Sequence, residues 1–172
     1  MNIFLMIEAI RLQRFKGFLD SGWIELKPIT LLFGHNSSGK STILQALLML
    51  KQTLESPAKE IPIILSGNRV DLGTFYDVAH RHEISDETPI ILSLRINIRE
   101  HFKELDKIYQ DRNRKNKHTL LDELLFKELQ KTYKITFIIF IRYDQKKKLN
   151  NITISIKNAN SKKNILLLYN SL

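Results

Sequence analysis

The chain has 172 residues, no cysteine, 43% hydrophobic residues and a formal charge of +9. That length and apolar content suit one domain with its own core, and the lack of cysteine excludes a disulfide framework and cysteine-based metal or nucleophile sites. No apolar stretch approaches the roughly 20 residues of a membrane span, and the apolar start is too short for a signal peptide. We therefore expect a cytoplasmic protein with no membrane partner.

The first predicted elements are two strands, Ile7 to Leu12 and Gly22 to Leu26, joined by a connecting segment. The apolar, β-branched run from Ile29 to Phe33 predicts a buried strand. Residues Thr42 to Leu54 contain neither glycine nor proline and predict a helix. Because that helix is apolar nearly all round, we expect it to be buried on several sides, between two layers of sheet.

Between this strand and this helix, residues 34–41 match the phosphate-binding pattern G-x-x-x-x-G-K-S/T. A strand before the pattern and a helix after it are the context that a P-loop requires. A triphosphate needs many converging donors, which the backbone N–H groups of such a loop supply without side chains. Gly34 and Gly39 permit close backbone approach, and the helix adds its positive end. The pattern therefore predicts a nucleotide site.

The side chains of the loop have separate predicted roles. Lys40 should reach the β- and γ-phosphates of ATP, and the Ser41 hydroxyl should coordinate Mg²⁺. Thr42 is expected to make a further phosphate contact. ATP and Mg²⁺ are therefore the expected ligands, and the other predicted binding residues of the loop are Gly34, Asn36, Ser37, Ser38 and Gly39.

Beyond the helix, the sequence predicts a short strand at 61–65, a turn at Ser66 to Asn68 and a strand from Pro89 to Ile98. The charged segment 99–131 is predicted to be mostly helical. Hairpin-like loops separate the remaining elements, so antiparallel pairing is expected there. These elements are three strands, Tyr133 to Tyr143, Leu149 to Lys157 and Asn164 to Tyr169.

Charge is unevenly distributed along the chain. Residues 1–94 carry nine basic and ten acidic residues, whereas residues 95–172 carry eighteen and eight. Clustered cations gain affinity for nucleic acid by releasing its condensed counterions. The basic half is therefore a candidate nucleic-acid contact. The alternative is that these basic residues form a solvated face that keeps the protein soluble. The lack of a residue pattern for reading bases or stacking on them favours this alternative.

Residues 14–18 have the sequence Arg-Phe-Lys-Gly-Phe. They precede the predicted strand Gly-Trp-Ile-Glu-Leu at 22–26, which is followed by the P-loop. This arrangement resembles the amino-terminal end of ABC-type ATPases, and within them the SMC, RecF and OLD-like branch that is often described in bacteria as AAA family ATPases. The segment from Val70 to Val78 also resembles a phrase common in these proteins. The resemblance covers residues 7–98 well and residues 133–169 only as a strand pattern.

The resemblance implies a mixed α/β head in which an antiparallel lobe adjoins a P-loop core, and in which two heads enclose two ATP molecules. Because residues in the positions of Arg14 and Lys16 commonly lie near the nucleotide, both join the expected binding site. The expected organisation is a single partial ATPase domain over 1–172, comprising a P-loop lobe at 7–98, a charged helical insertion at 99–131 and antiparallel strands at 133–169.

The departures from this family concern catalysis. Hydrolysis needs a Walker B strand, in which apolar residues precede an Asp-Glu pair that holds Mg²⁺ and polarises the attacking water. The segment most similar to this pattern is Thr119 to Glu123, but the apolar residues that follow it have the spacing of a helix. Asp86-Glu87 has no apolar strand before it. We also find no signature segment, and His80 and His82 are interpreted as solvated loop residues. The chain is therefore expected to be a truncated ATPase lobe whose hydrolysis needs Walker B and signature segments from another chain or from a homodimer.

Other functions remain open. The lack of a catalytic carboxylate favours a nucleotide-sensing interaction module without turnover, and a degenerate fragment with exposed apolar surface is a further alternative. A small P-loop kinase would use Arg112 and Arg114 as lid residues. Such kinases alternate strand and helix around a parallel sheet, whereas antiparallel strands are expected here after residue 130.

Overall fold

The structure is a computed structural model that describes residues 7–36, 38–56, 63–85, 87–99, 102–115, 126–127, 130, 133–144, 149–158 and 164–169. Its architecture is mixed α/β, with one antiparallel sheet. The strands are β1 (Ile7–Phe15), β2 (Phe18–Asp20), β3 (Ile24–Glu25), β4 (Ile90–Asn97), β5 (Lys134–Asp144), β6 (Leu149–Asn158) and β7 (Asn164–Tyr169). The helices are α1 (Lys40–Glu55), α2 (Phe75–Val78) and α3 (Phe102–Arg114), and a 3-10 turn covers His80–His82.

The sheet has the order β2-β1-β4-β5-β6-β7, and β3 also pairs with β1. Every pairing of these strands is antiparallel. The register brings Leu12, Leu92 and Ile139 side by side on one face. The predicted strands that correspond to β1, β4, β5, β6 and β7 are confirmed, as is the antiparallel pairing of the last three. Within the described residues, no parallel strand pair supports the kinase alternative.

Helix α1 packs one of its faces against this sheet. Ile43, Ala46 and Met49 lie on that face and belong to the same buried cluster as the side chains of β1 and β4. Each large apolar side chain that is fully buried there contributes about 1.5–3 kcal/mol. The predicted helix is confirmed, but the prediction that it is buried on several sides is wrong. Leu44 and Leu54 are 57% and 68% exposed, because the described sheet covers only one side of the helix.

The buried strand predicted over residues 29–33 is also wrong. These residues form neither helix nor strand, and Ile29, Leu31 and Phe33 are 82%, 71% and 87% exposed. Only Leu32 packs against the core. A buried strand needs a neighbour with which to share its hydrogen bonds, and none of the strands described in the structure pairs with this segment.

Shorter elements also differ from expectation. Strand β2 lies in the segment that was predicted to be a connection, and β3 covers only part of the predicted strand. Residues 63–65 form no strand, and 61–62 lie outside the described residues. The predicted turn is present, since the N–H of Gly67 donates to the carbonyl of Val70 at 3.0 Å. Helix α3 begins the predicted helical segment, most of whose remainder lies outside the described residues.

Candidate functional site

The two glycines of the phosphate loop occupy positions where a side chain would not fit. A Cβ on Gly34 would lie 2.7 Å from Ser38 Oγ. A Cβ on Gly39 would lie 2.5 Å from Phe18 Cζ, and the backbone φ at Gly39 is +91°, in the left-handed region. The loop is closed by the N–H of Ser38, which donates to the carbonyl of His35 at 3.2 Å. Glycine is therefore required by both conformation and close approach.

The loop ends at the amino terminus of α1. Gly39 is the residue preceding the helix, no side chain hydrogen-bonds to this terminus, and the first turn holds no acidic residue. The first N–H groups of a helix have no partner within the helix, and the helix dipole makes this end positive. An anion at this position would accept hydrogen bonds from unpaired N–H groups.

Lys40, the first residue of α1, folds back over the loop. Its ammonium lies 2.7 Å from the carbonyl oxygen of Gly34, 2.5 Å from that of His35 and 3.4 Å from Ser38 Oγ. Among the described residues, no carboxylate forms an ion pair with it. A phosphate would offer this ammonium charged acceptors, which make stronger hydrogen bonds than carbonyl groups do.

The neighbouring loop residues differ in exposure. Ser41 and Asn36 are exposed, whereas Thr42 is only 9% exposed and its N–H donates to the carbonyl of Gly39 at 3.0 Å. Ser37 lies outside the described residues. The Ser41 hydroxyl is thus available to a ligand at the start of α1, whereas Thr42 belongs to the core side of the helix.

The geometry of the loop agrees with a comparison with known families. The family model of the AAA ATPase domain matches residues 6–171. The chain belongs to this AAA ATPase family. Membership indicates nucleotide binding and hydrolysis. No curated protein matches the chain, and no helix among the described residues is long and apolar enough to cross a membrane.

In this AAA ATPase, Arg14 lies near the end of β1 and Lys16 lies in the turn between β1 and β2, with backbone φ values of +56° and +49°. The N–H of Lys16 donates to the carbonyl of Val78 at 2.7 Å, and His80 Nδ1 lies 2.8 Å from the carbonyl oxygen of Lys16. Arg14 forms an ion pair with Glu83 at 3.4 Å. Non-glycine residues at positive φ persist where surrounding contacts hold them. The segment 78–83 is therefore a clamp on this turn.

Little in the sequence indicated this clamp. His80 was interpreted as a solvated loop residue, yet its ring hydrogen-bonds to the backbone of Lys16. Val78 and Ala79, which precede the histidines, are buried. These two apolar residues were the sequence feature that could have indicated packing of this segment against the core. In the described structure no hydrogen bond or ion pair joins Arg14 or Lys16 to the loop itself. What links their turn to the loop is the contact between Phe18 and Gly39.

Two described carboxylates, those of Asp20 and Asp77, form hydrogen bonds with local partners. Hydrogen bonds from Arg11, then from the N–H of Gly22, lower the pKa of Asp20 from 3.8 to about 2. A hydrogen bond from the N–H of Thr74, and a second from its hydroxyl, lower the pKa of Asp77. Local hydrogen bonds therefore favour the ionised form of both groups.

Possible metal ligands do not lie together in the described part of this AAA ATPase. Within the described part of the chain, no group of three His, Asp or Glu residues is placed to hold a metal. The Walker B candidate Thr119 to Glu123 lies outside the described residues, as does Asp86. Mg²⁺ usually keeps several waters and binds through few protein groups and the phosphates of its nucleotide. The exposed Ser41 hydroxyl beside the P-loop fits that manner of binding.

The basic runs contribute little to the described site. Residues 145–148 and 116–117 lie outside the described structure. On the open face of the sheet, Arg11, Arg95 and Lys134 each form an ion pair with a carboxylate, from Asp20, Glu25 and Glu8 respectively. Such pairing reduces the net positive field of this face. Nucleic-acid contact by residues 95–172 stays a prediction.

Proposed function

We propose that this AAA ATPase binds ATP with Mg²⁺ through residues 34–42, as the nucleotide-binding part of an ABC-type head of the SMC, RecF and OLD-like branch. The observation that carries the proposal is the ammonium of Lys40, held over a glycine loop at the uncapped amino terminus of α1. The ammonium and the start of the helix both adjoin the glycine loop, which suits an anionic group able to accept hydrogen bonds from both.

In the proposed complex, the β- and γ-phosphates replace the carbonyl groups of Gly34 and His35 as the acceptors for Lys40. The Ser41 hydroxyl ligates Mg²⁺ together with phosphate oxygens and water. When bound, Mg²⁺ neutralises charge that develops on the transferred phosphoryl group. Asn36, Ser37, Ser38 and Thr42 complete the proposed set of loop contacts.

Arg14 and Lys16 are proposed to lie near the nucleotide, as the resemblance implies. Two observations support this role. Phe18, two residues beyond Lys16, contacts Gly39 of the loop, and the clamp at 78–83 holds the turn in a conformation that non-glycine residues rarely adopt. Strained backbone of this kind often occurs at ligand sites.

Hydrolysis is proposed to depend on a Walker B carboxylate and a signature segment from another chain or a second copy. In the described residues, no acidic side chain pairs with Lys40. The same observation favours a second candidate, a nucleotide-sensing module that binds ATP without turnover. The two candidates differ in the effect of a partner that completes the site. Only the ATPase would release phosphate when that partner is added, whereas the sensing module would not.

The test is a titration of the purified full chain with a fluorescent ATP analogue and Mg²⁺, with phosphate release followed in the same samples. Lys40→Ala should weaken binding by about 10- to 100-fold, because a charge-assisted hydrogen bond contributes about 1.5–3 kcal/mol. Lys103→Ala, which changes an exposed lysine of α3, is the matched control. Equal affinity in the Lys40→Ala variant and the control would contradict nucleotide binding by this loop. Steady release from wild type alone would contradict the need for a different chain, and release from a monomer would also contradict the need for a second copy.

A further inference from the structure

A short backbone bridge joins the turn at Lys16 to the segment that follows α2. Phe15 and Ala79 form a single antiparallel bridge. Beside it, the N–H of Lys16 donates to the carbonyl of Val78 at 2.7 Å. The pairing goes no further, because the chain enters the 3-10 turn at His80. The next acceptor on the hairpin is the carbonyl of Lys16, and its donor comes from a side chain.

The imidazole of His80 is that donor. Its Nδ1 lies 2.8 Å from the carbonyl oxygen of Lys16, although the two residues are 64 positions apart. A carbonyl oxygen only accepts hydrogen bonds, so Nδ1 carries the proton in this contact. Both main-chain polar groups of Lys16 are therefore held by residues 78–80, the N–H by a carbonyl and the carbonyl by an imidazole.

The turn needs this support because Lys16 has a backbone φ of +49°. Phe15 pairs with Phe18 in the register of β1 and β2, so Lys16 and Gly17 are the two residues of a hairpin turn. Residues other than glycine are uncommon at positive φ, and the conformation of a two-residue turn must match the twist of the strands that it joins. The contact with His80 therefore helps to set the direction in which β2 leaves the turn.

Phe18 is the first residue of β2 and the one that contacts the phosphate loop. A Cβ built on Gly39 would lie 2.5 Å from Cζ of the Phe18 ring. Gly39 has a φ of +91° and immediately precedes Lys40, the first residue of α1. Closely packed groups transmit displacement to one another. A change in the direction of Phe18 would therefore alter the space available to the backbone at Gly39.

We propose that His80 is a positioning residue of the phosphate loop, which acts through the turn at Lys16 and the ring of Phe18 on the backbone of Gly39. The inference rests on the proposed function, because that loop is the proposed nucleotide site. His80 itself makes no contact with the nucleotide. Its loss lowers affinity because a loop that is not held in its binding conformation must be ordered when the ligand binds.

The neighbouring His82 offers a matched control. Its Nδ1 also lies close to a backbone carbonyl, that of Tyr76, at 2.9 Å, and its ring stacks on the Tyr76 ring with 4.5 Å between centroids. Among the described residues, no hydrogen bond joins His82 to the turn at Lys16. The same substitution at the two histidines therefore separates the contact with the turn from the loss of an imidazole–carbonyl hydrogen bond in general.

The test measures binding of a fluorescent ATP analogue with Mg²⁺ to the full chain and its variants. His80→Leu removes the donor and should weaken binding about 3- to 10-fold. His80→Asn keeps an N–H donor near the position of Nδ1, so this variant and His82→Leu should each stay within about twofold of wild type. Circular dichroism checks the fold of each variant, and His80→Ala takes the place of His80→Leu if leucine prevents folding.

A double-mutant cycle tests the route through Phe18. If His80 acts through that ring, His80→Leu should weaken binding far less in a chain that already carries Phe18→Leu. Additive effects of the two substitutions would overturn the route. Binding by His80→Leu equal to that of wild type would overturn the proposal, as would equal losses in His80→Leu and His80→Asn, or in His80→Leu and His82→Leu.

Hydrogen exchange in the absence of nucleotide separates this inference from the proposed function. His80→Leu should speed amide exchange in peptides covering residues 14–18 and 38–42, whereas His82→Leu should not. Unchanged exchange at 38–42 would overturn the positioning role even where Lys40→Ala shows that the loop binds ATP. Faster exchange there, in a protein whose wild type binds no ATP, would support the positioning of the loop and overturn the nucleotide site.

Discussion

The ring of Phe18 packs directly against Gly39, the residue at which the phosphate loop becomes helix α1. A Cβ built on Gly39 would lie 2.5 Å from Cζ of Phe18 and 3.0 Å from Cε2. The hairpin of β1 and β2 therefore contacts the P-loop directly, and no space is left for a side chain at Gly39. Since Phe18 follows the turn that contains Lys16, and Arg14 lies just before that turn, this contact couples the position of the turn to the shape of the loop.

Replacing Gly39 by alanine should disrupt the loop. The added Cβ clashes with Phe18, and φ of +91° is unfavourable for any L side chain, with strain of about 1–3 kcal/mol. We expect Gly39→Ala to unfold at lower urea concentration and to lose most of its ATP affinity. Gly17→Ala is the control, because a Cβ there meets nothing within 4 Å. Equal ATP affinity in the two variants would show that the shape of the loop does not determine nucleotide binding.

Removing the hydroxyl of Ser41 should abolish the effect of Mg²⁺ on nucleotide binding. Wild type is expected to bind ATP about tenfold more tightly with Mg²⁺ than with EDTA, a difference of about 1.4 kcal/mol. Ser41→Ala should bind equally under both conditions, whereas Ser41→Thr keeps a hydroxyl and should behave as wild type does. Titrations of the three proteins provide the measurement. A Mg²⁺ effect that survives in Ser41→Ala would mean that other groups hold the metal.

The ion pair between Arg11 and Asp20 should make stability depend on pH in the acid range. Hydrogen bonds from Arg11 lower the pKa of Asp20 from 3.8 to about 2 in the folded chain. A carboxyl whose folded pKa is depressed stabilises the fold above its unfolded pKa, and this contribution is lost as pH falls from about 4 to about 2. The effect is small, about 0–1 kcal/mol, because the pair is partly exposed.

Urea unfolding of wild type and Asp20→Asn at several pH values measures this contribution. Wild type should be the more stable protein near pH 6, and the difference should vanish near pH 2. Glu87→Gln is the control, since Glu87 has no ion pair in the described structure. A difference between wild type and Asp20→Asn that stays constant with pH would contradict the assignment.

Gln52 is expected to hold the segment after α1 in place. Its side chain is 7% exposed; Nε2 donates to the carbonyl of Ile64 at 2.8 Å, and Oε1 accepts from the N–H of Val70 at 3.2 Å. Gln52→Leu leaves both backbone groups without these partners and should lower the free energy of unfolding by about 2 kcal/mol. Gln45→Leu, on the same helix and without a hydrogen bond among the described residues, should change it little. Equal urea midpoints would refute this role for Gln52.

Elements with a strong local signal were predictable from the sequence. Helix α1 follows from a run without glycine or proline, and strands β4 to β7 from β-branched and aromatic runs separated by turn residues. The loop at 34–41 matches a pattern in which phosphate binding requires those residue types at that spacing, and its role stays a prediction. For α1 the relevant interactions join residues that are close in sequence, whereas β4 pairs with the distant β5 and was predictable from its composition alone.

Features that depend on distant partners were not predictable. Ile29 to Phe33 has the composition of a buried strand, but whether a strand is buried depends on the strand beside it, and none is described there. The contact between His80 and Lys16 joins residues 64 positions apart. Nothing in the sequence around either residue specifies the other.

The sequence by itself determined that this chain carries a phosphate loop before a helix, because the pattern is local and its chemistry follows from glycine, lysine and serine at fixed spacing. Only the tertiary structure decided that Phe18 supports Gly39, that the segment 78–83 clamps the turn at Lys16, and that residues 29–33 stand exposed. The reason is that close packing and backbone pairing are properties of surfaces brought together by the fold, and a local pattern of residues does not specify its partner.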